Sequence, residues 1–190
     1  MRYQKSMSSL QGQLLIAMPG MADPNFNETV TFICKHDDEG AIGIIVNRPS
    51  EMSLGDVCRQ LKLDDNLGDA DDQPIMNGGP VHPDRGFVLH QSDREFDSTF
   101  DPDAEVKVTV SQDILKAIAR GEGPKPALVA LGYAGWGSGQ LESEIAANAW
   151  LSVPTSPAIL FDTPIENRWL AAAGLIGIDI RQVTSYAGHA

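Results

Sequence analysis

Hydrophobic and polar positions alternate most clearly over residues 29–36. Val30, Phe32, Cys34 and His36 fall on one face there, and Thr31, Ile33 and Lys35 on the other. A period of two predicts a strand. After Asp37-Asp38-Glu39-Gly40, an apolar run covers 41–46, so the two segments predict a hairpin. Upstream, residues 14–18 predict a buried strand stopped by Pro19-Gly20. Residues 1–10 carry no periodic pattern and read as a flexible extension. Further strands are predicted at 86–90, 106–110, 127–133 and 158–161; in the second, Val106, Val108 and Val110 alternate with Lys107 and Thr109.

Helical spacing appears four times. Ser53-Leu54-Gly55-Asp56 fits a capping box, and Leu54, Val57, Cys58 and Leu61 then recur on one helical face. A second helix starts from Ser111 as N-cap, turns Ile114, Leu115 and Ile118 inward and stops at Gly121. A third places Leu141, Ile145 and Ala149 on one face, with Glu142 and Glu144 in its first turns, where the helix dipole favours anions. The last opens on Thr163-Pro164-Ile165-Glu166, with Thr as N-cap and Pro at the first helical position. Residues 135–139 read as a glycine-rich turn between strand and helix. Strands and helices mix without regular βαβ alternation, so the class is α+β.

The 190 residues suit one domain, assigned to 11–190. Asp and Glu number 26 against 14 Lys and Arg, a formal charge of −12. That balance argues against DNA-backbone binding and against an anionic membrane surface. No secretory apolar segment follows Arg2 and Lys5, and no run reaches the ~20 residues of a membrane span. Cys34 and Cys58 form no CxxC pair and read as free buried thiols in a reducing compartment, so the cytoplasm is the expected location.

The motifs point to little chemistry. No phosphate loop, nucleophile elbow or HExxH is present, so no cofactor is expected. Residues 64–73 fail as a calcium loop, because Asp69 stands where Gly is needed and Ile75 where Glu is needed. His36, His82, His90 and His189 have no metal-ligand spacing, and no metal is expected. Gly135-x-Gly137-x-x-Gln140 resembles a dinucleotide fingerprint but has Gln in place of the third small residue. Cys34 and His36, on one strand face with Cα atoms ~6.5 Å apart, are the candidate reactive pair. The expected ligand or partner surface combines Gly78, Gly79 and Pro80 with Tyr133, Gly135, Trp136, Gly139, Gln140 and Glu142. Glycines there would let a ligand approach the backbone, and Glu142 favours a peptide or neutral polar ligand over a phosphate.

Read together, these segments resemble the AlgH (YqgE-like) family of bacterial proteins. The resemblance runs from residue 12 to 190. It rests on Gly12-Gln13-Leu14-Leu15-Ile16-Ala17-Met18-Pro19, Gly40-Ala41-Ile42-Gly43, Asn47-Arg48-Pro49, Gly78-Gly79-Pro80-Val81, Gly86-Phe87-Val88-Leu89-His90, Leu131-Gly132-Tyr133-Ala134-Gly135-Trp136 and Gly139-Gln140-Leu141-Glu142. It implies a single domain whose bifurcated mixed sheet curls into a pseudo-barrel with flanking helices. It carries over no catalytic residue. A transcriptional-regulator role attaches to the family by association with alginate production, and the charge of this chain disfavours direct DNA binding. The expected function is a cytoplasmic, non-enzymatic binding or regulatory module with a protein or small-molecule partner. The alternatives are a Cys34-dependent enzyme or redox-responsive protein, and a transcriptional regulator.

Overall fold

The computed structural model describes residues 8–91 and 93–183. Their strands are β1 (Gln13–Ala17), β2 (Val30–Asp37), β3 (Gly40–Ile45), β4 (Pro49–Ser53), β5 (Pro74–Asn77), β6 (Val81–His90), β7 (Thr99–Phe100), β8 (Lys107–Thr109), β9 (Ala127–Gly137) and β10 (Trp150–Pro154). The helices are α1 (Leu54–Gln60), α2 (Asp113–Ala119), α3 (Gln140–Ala146) and α4 (Arg168–Gly174). The strand order β10-β1-β2-β3-β9-β6-β8-β7 makes one path, with β4 and β5 branching from it. The sheet curls into a half-barrel flanked by helices.

The branch has a simple cause. β3 pairs with β9 only from Gly40↔Gly137 to Gly43↔Ala134. Beyond that the two strands part, and β5 enters between them, parallel to β9 at Ala130 and Leu131. Gly78 completes the wedge: its N–H donates to Leu131 O at 2.8 Å, and its carbonyl accepts Ile45 N–H at 2.9 Å. The 78–80 segment therefore holds the fork of the sheet.

Three apolar clusters fill the layers. Leu14, Phe32, Ile44, Leu89 and Val108 line the inside of the curl, closed at one end by Ala172 and Ala173 of α4. Arg168 of α4 donates to Val46 O, and Trp169 Nε1 to Ala17 O at 2.9 Å. α1 and α2 lie outside, with Leu54, Cys58 and Ile114 against Val88 and Val129. α3 packs Leu141 against Ile33, Ala41, Trp136 and Trp150.

The capping box at Ser53 and Asp56 forms as expected, with both reciprocal bonds present. The predicted hairpin is β2–β3. Several expectations need correction. Residues 135–137 are not turn but the end of β9, paired to β3; only 138 and 139 turn the chain, with Gly139 left-handed at φ 71°. Residues 158–162 are a helical turn, not a strand: Thr163 N–H reaches Ala158 O at 2.9 Å, five residues back. A four-residue apolar run cannot separate the two by periodicity. The strand in this region is β10, laid antiparallel on β1. Ser111 does not cap α2, whose cap position is Gln112; its hydroxyl bonds Asp113 instead. Thr163 does not cap the last helix either. A 3₁₀ turn at Ile165–Asn167 leads into α4 at Arg168.

Residues 1–7 of the expected extension lie outside the described residues, as does His189. Ser9 and Leu10 are docked rather than loose. Ser9 Oγ donates to His36 O at 3.0 Å, Leu10 N–H donates to His36 Nδ1 at 2.9 Å, and the Leu10 side chain is buried.

Candidate functional site

The residues expected to form one surface do not all line one cavity, although Gly79 packs directly on the Tyr133 backbone and Gly135 lies beside the Tyr133 ring. Trp136 is only 6% exposed and stacks edge-on with Trp150 at 6.0 Å. Both indole N–H groups donate to one oxygen, Oε2 of Glu144, at 2.9 and 2.8 Å. Gln140 bridges Gly137 N–H and Glu144 Oε1, so it supports the same knot. Gly135 faces Ile42 across the β3–β9 ladder. Gly79 and Pro80 border a cavity of about 230 Å³ with Arg48 and Asn77. The Arg48 guanidinium there already donates to the carbonyls of Pro24 and Asn27. Tyr133 belongs to a different, larger cavity.

Cys34 and His36 do not share a face. The β2–β3 register runs from Ile33↔Gly43 to Lys35↔Ile42, so Cys34 is the extra residue of a bulge. One inserted residue reverses the alternation beyond it. Cys34 turns into the half-barrel with Phe32, while His36 turns to the opposite side with Ala41 and Leu10. His36 is buried, not solvent-reaching. Its Nδ1 accepts Leu10 N–H, so Nε2 carries the proton and donates to Glu142 Oε1 at 2.6 Å. The Glu142 carboxyl is held below its ordinary range, first by its own backbone N–H at the start of α3 and also by the His36 donor. Burial pushes the Cys34 thiol far up, so it stays neutral. A neutral thiol with His36 turned away is not an activated nucleophile. Cys34 and Cys58 are both free and buried.

The bulge has a second effect: it brings Cys34 and Lys35 together onto a cavity of about 470 Å³ at the open end of the half-barrel. The far wall depends on another irregularity. β6 and β9 pair at Val81↔Tyr133 and next at Gly86↔Leu131, so residues 82–85 loop out opposite Gly132. Gly132 (φ 78°) is obligatory there, since a Cβ would lie 2.5 Å from Gly79 O. The excursion carries Arg85 onto the cavity rim, above Phe87. Tyr133 packs edge-on to Phe87 at 5.9 Å and against His82 at 5.9 Å. Phe100 and Asp101 complete the rim from the edge of the sheet. The loop after β7 comes down on the chain entering β1: a Cβ on Gly12 would lie 2.6 Å from Pro102 O.

Lys35, Arg85, Phe87 and Phe100 escaped the sequence reading as site residues. Lys35 and Phe87 sit in strands that the sequence predicts at 29–36 and 86–90. Nothing local marks the two bulges that bring Lys35 and Arg85 to the cavity rim. Among the described residues, no group of three or more His, Cys, Asp or Glu is placed to hold a metal ion. No helix there is long and apolar enough to cross a membrane.

These features define a single-domain α+β half-barrel protein with a mostly apolar cavity at its open end. The chain belongs to the AlgH-like family, which it matches over residues 14–181. It is 51% identical to a UPF0301 protein of Xanthomonas campestris over 181 residues, 95% of this chain and 96% of that one. A UPF0301 protein of Methylococcus capsulatus is 51% identical over 180 residues, again 95% and 96% of the two chains. The solution structure of the AlgH protein from Pseudomonas aeruginosa superposes with a TM-score of 0.79 at 49% identity, covering 100% of both chains. The crystal structure of protein DIP2367 from Corynebacterium diphtheriae has a TM-score of 0.70 over 89% of this chain and 88% of that one. At 18% identity it shares the fold.

Proposed function

We propose that this protein is a non-catalytic, cytoplasmic binding module whose ligand is a small molecule held in the cavity at the open end of the half-barrel. One observation carries this reading. Two separate strand irregularities, at Cys34 and at 82–85, deliver polar and charged groups to the rim of one apolar cavity. Bulges of this kind re-aim side chains beside functional sites, and about 470 Å³ falls within the usual range for small-molecule pockets. The neutral, buried thiol of Cys34 supports binding over Cys34-dependent chemistry. Two free buried thiols fit a reducing cytoplasm. Any regulatory role would then pass through ligand occupancy or a protein partner, since a charge of −12 opposes direct DNA contact.

A fragment screen read by protein NMR tests this. The expected hits perturb Ile42, Phe87, Phe100 and Val110 together, and Val110→Trp, which fills the cavity, removes them while the fold persists by circular dichroism. Hits that map only elsewhere, or that survive Val110→Trp, overturn the reading.

A further inference from the structure

We infer that the ligand of this cavity is an aromatic carboxylate, with its carboxylate on Arg85 and its ring among Phe87, Phe100 and Tyr133; the inference rests on the small-molecule reading above. Six of the seven described arginines donate hydrogen bonds to a carboxylate or a backbone carbonyl. Arg85 is the exception: its guanidinium carbon lies 5.8 Å from the centre of the Phe87 ring. In a chain with a net charge of −12, a cation on an apolar cavity with no carboxylate of its own is a ready acceptor of an anionic ligand. The guanidinium fork matches a planar carboxylate bidentately.

The rim limits how much charge the ligand can carry. Lys35 is already paired with Asp37 at 3.1 Å, and Asp101 with Lys107 at 3.2 Å. With Lys35 and Arg85 against Asp101, the described lining carries a net charge of +1, short of what a dianion such as a phosphate monoester needs. A single negative charge on an apolar body fits better. The shape of the body follows from the rings. Tyr133 and Phe87 pack edge-to-face at 72°, and with Phe100 they give the cavity three aromatic lining residues. An aromatic ligand gains ring–ring contacts with such a lining that an alkyl chain does not make.

The test titrates the whole protein with 2-naphthoate, its uncharged isostere 2-naphthamide, and octanoate, by calorimetry with NMR mapping, on wild type and Arg85→Gln. Arg85 is exposed, so the variant should fold normally. 2-Naphthoate is expected to bind about tenfold more tightly than 2-naphthamide, the advantage of one charge-assisted contact. Arg85→Gln should erase that preference and leave amide binding nearly unchanged. Equal binding of acid and amide in the cavity would overturn the anionic ligand and leave the cavity reading standing. Octanoate binding as tightly as 2-naphthoate would overturn the aromatic part. No binding by any of the three, with Phe87 and Val110 unperturbed, would overturn both.

Discussion

His36 Nε2 and Glu142 Oε1 meet at 2.6 Å across 106 residues of sequence, tying β2 to the first turn of α3. Because Leu10 N–H occupies the other ring nitrogen, one imidazole joins three segments: the entry to β1, the end of β2 and α3. The pair reads as a fastening of the N-terminal segment, with no open ring nitrogen left for a substrate.

Glu142 gives this fastening a pH signature. Its carboxyl pKa is lowered in the folded protein. A lowered carboxyl contributes stability that is fully present above its unfolded value, about 4.3, and is lost as pH falls through the folded value. Urea midpoints measured from pH 6 down to pH 3 should therefore fall less steeply in Glu142→Gln than in wild type. Parallel curves would remove Glu142 from the acid limb.

Glu144 holds two buried indoles on one oxygen. Glu144→Ala leaves both N–H groups without that acceptor and should cost about 2–4 kcal/mol. Glu144→Gln keeps an acceptor oxygen and should cost roughly half as much. Chemical denaturation followed by tryptophan emission measures both, with a shifted native spectrum expected for the alanine variant.

Cys34 should behave as a core residue. Cys34→Ser places a hydroxyl among apolar neighbours and should cost roughly 1–3 kcal/mol. Its thiol should react slowly with iodoacetamide in the folded state. A raised thiol pKa keeps stability whole below the unfolded value, about 8.5, and erodes it as pH rises beyond, since only the unfolded chain ionises freely. Cys34→Ala should show a shallower alkaline decline. Rapid alkylation at neutral pH would restore the redox alternative.

The 82–85 excursion depends on Gly132. Gly132→Ala meets both a left-handed φ of 78° and the carbonyl of Gly79, whereas Gly139→Ala meets only a φ of 71° in open space. The first should cost at least about 2 kcal/mol and broaden NMR signals around Arg85; the second should cost about 1 kcal/mol. Equal costs would show that the Gly132–Gly79 approach is relaxed easily.

Direct DNA binding should be absent near physiological salt. An electrophoretic titration of promoter fragments is expected to give no sub-micromolar complex. Tight binding that weakens steeply as salt rises would contradict the reading from charge.

Local chemistry was legible in the sequence, and registration between distant segments was not. Ser53 and Asp56 announce α1 because a capping box lies within four residues. The β2–β3 hairpin shows because its turn and both runs are contiguous. The side on which His36 lies could not be read, since the bulge at Cys34 exists only against β3. Arg85 was invisible as a site residue for the same reason: its position follows from Gly132 meeting Gly79, more than fifty residues apart. The glycines at 135 and 137 suggested a turn, yet the ladder to β3 extends them. Of the surface expected from sequence, only Tyr133 lines the larger cavity, joined there by Cys34 from the candidate reactive pair.

A half-barrel that does not close leaves strand edges, and these bear on self-association. β7 offers two residues, too few for a lasting ladder with another chain. β10 ends in Pro154, which has no N–H to give. Among the described residues β4 pairs only with β5; it begins with Pro49 and carries Glu51 at its centre. Short length, proline and charge are the features that blunt free edges against amyloid-like stacking. The open architecture that leaves room for a cavity is thereby kept from templating aggregates of itself.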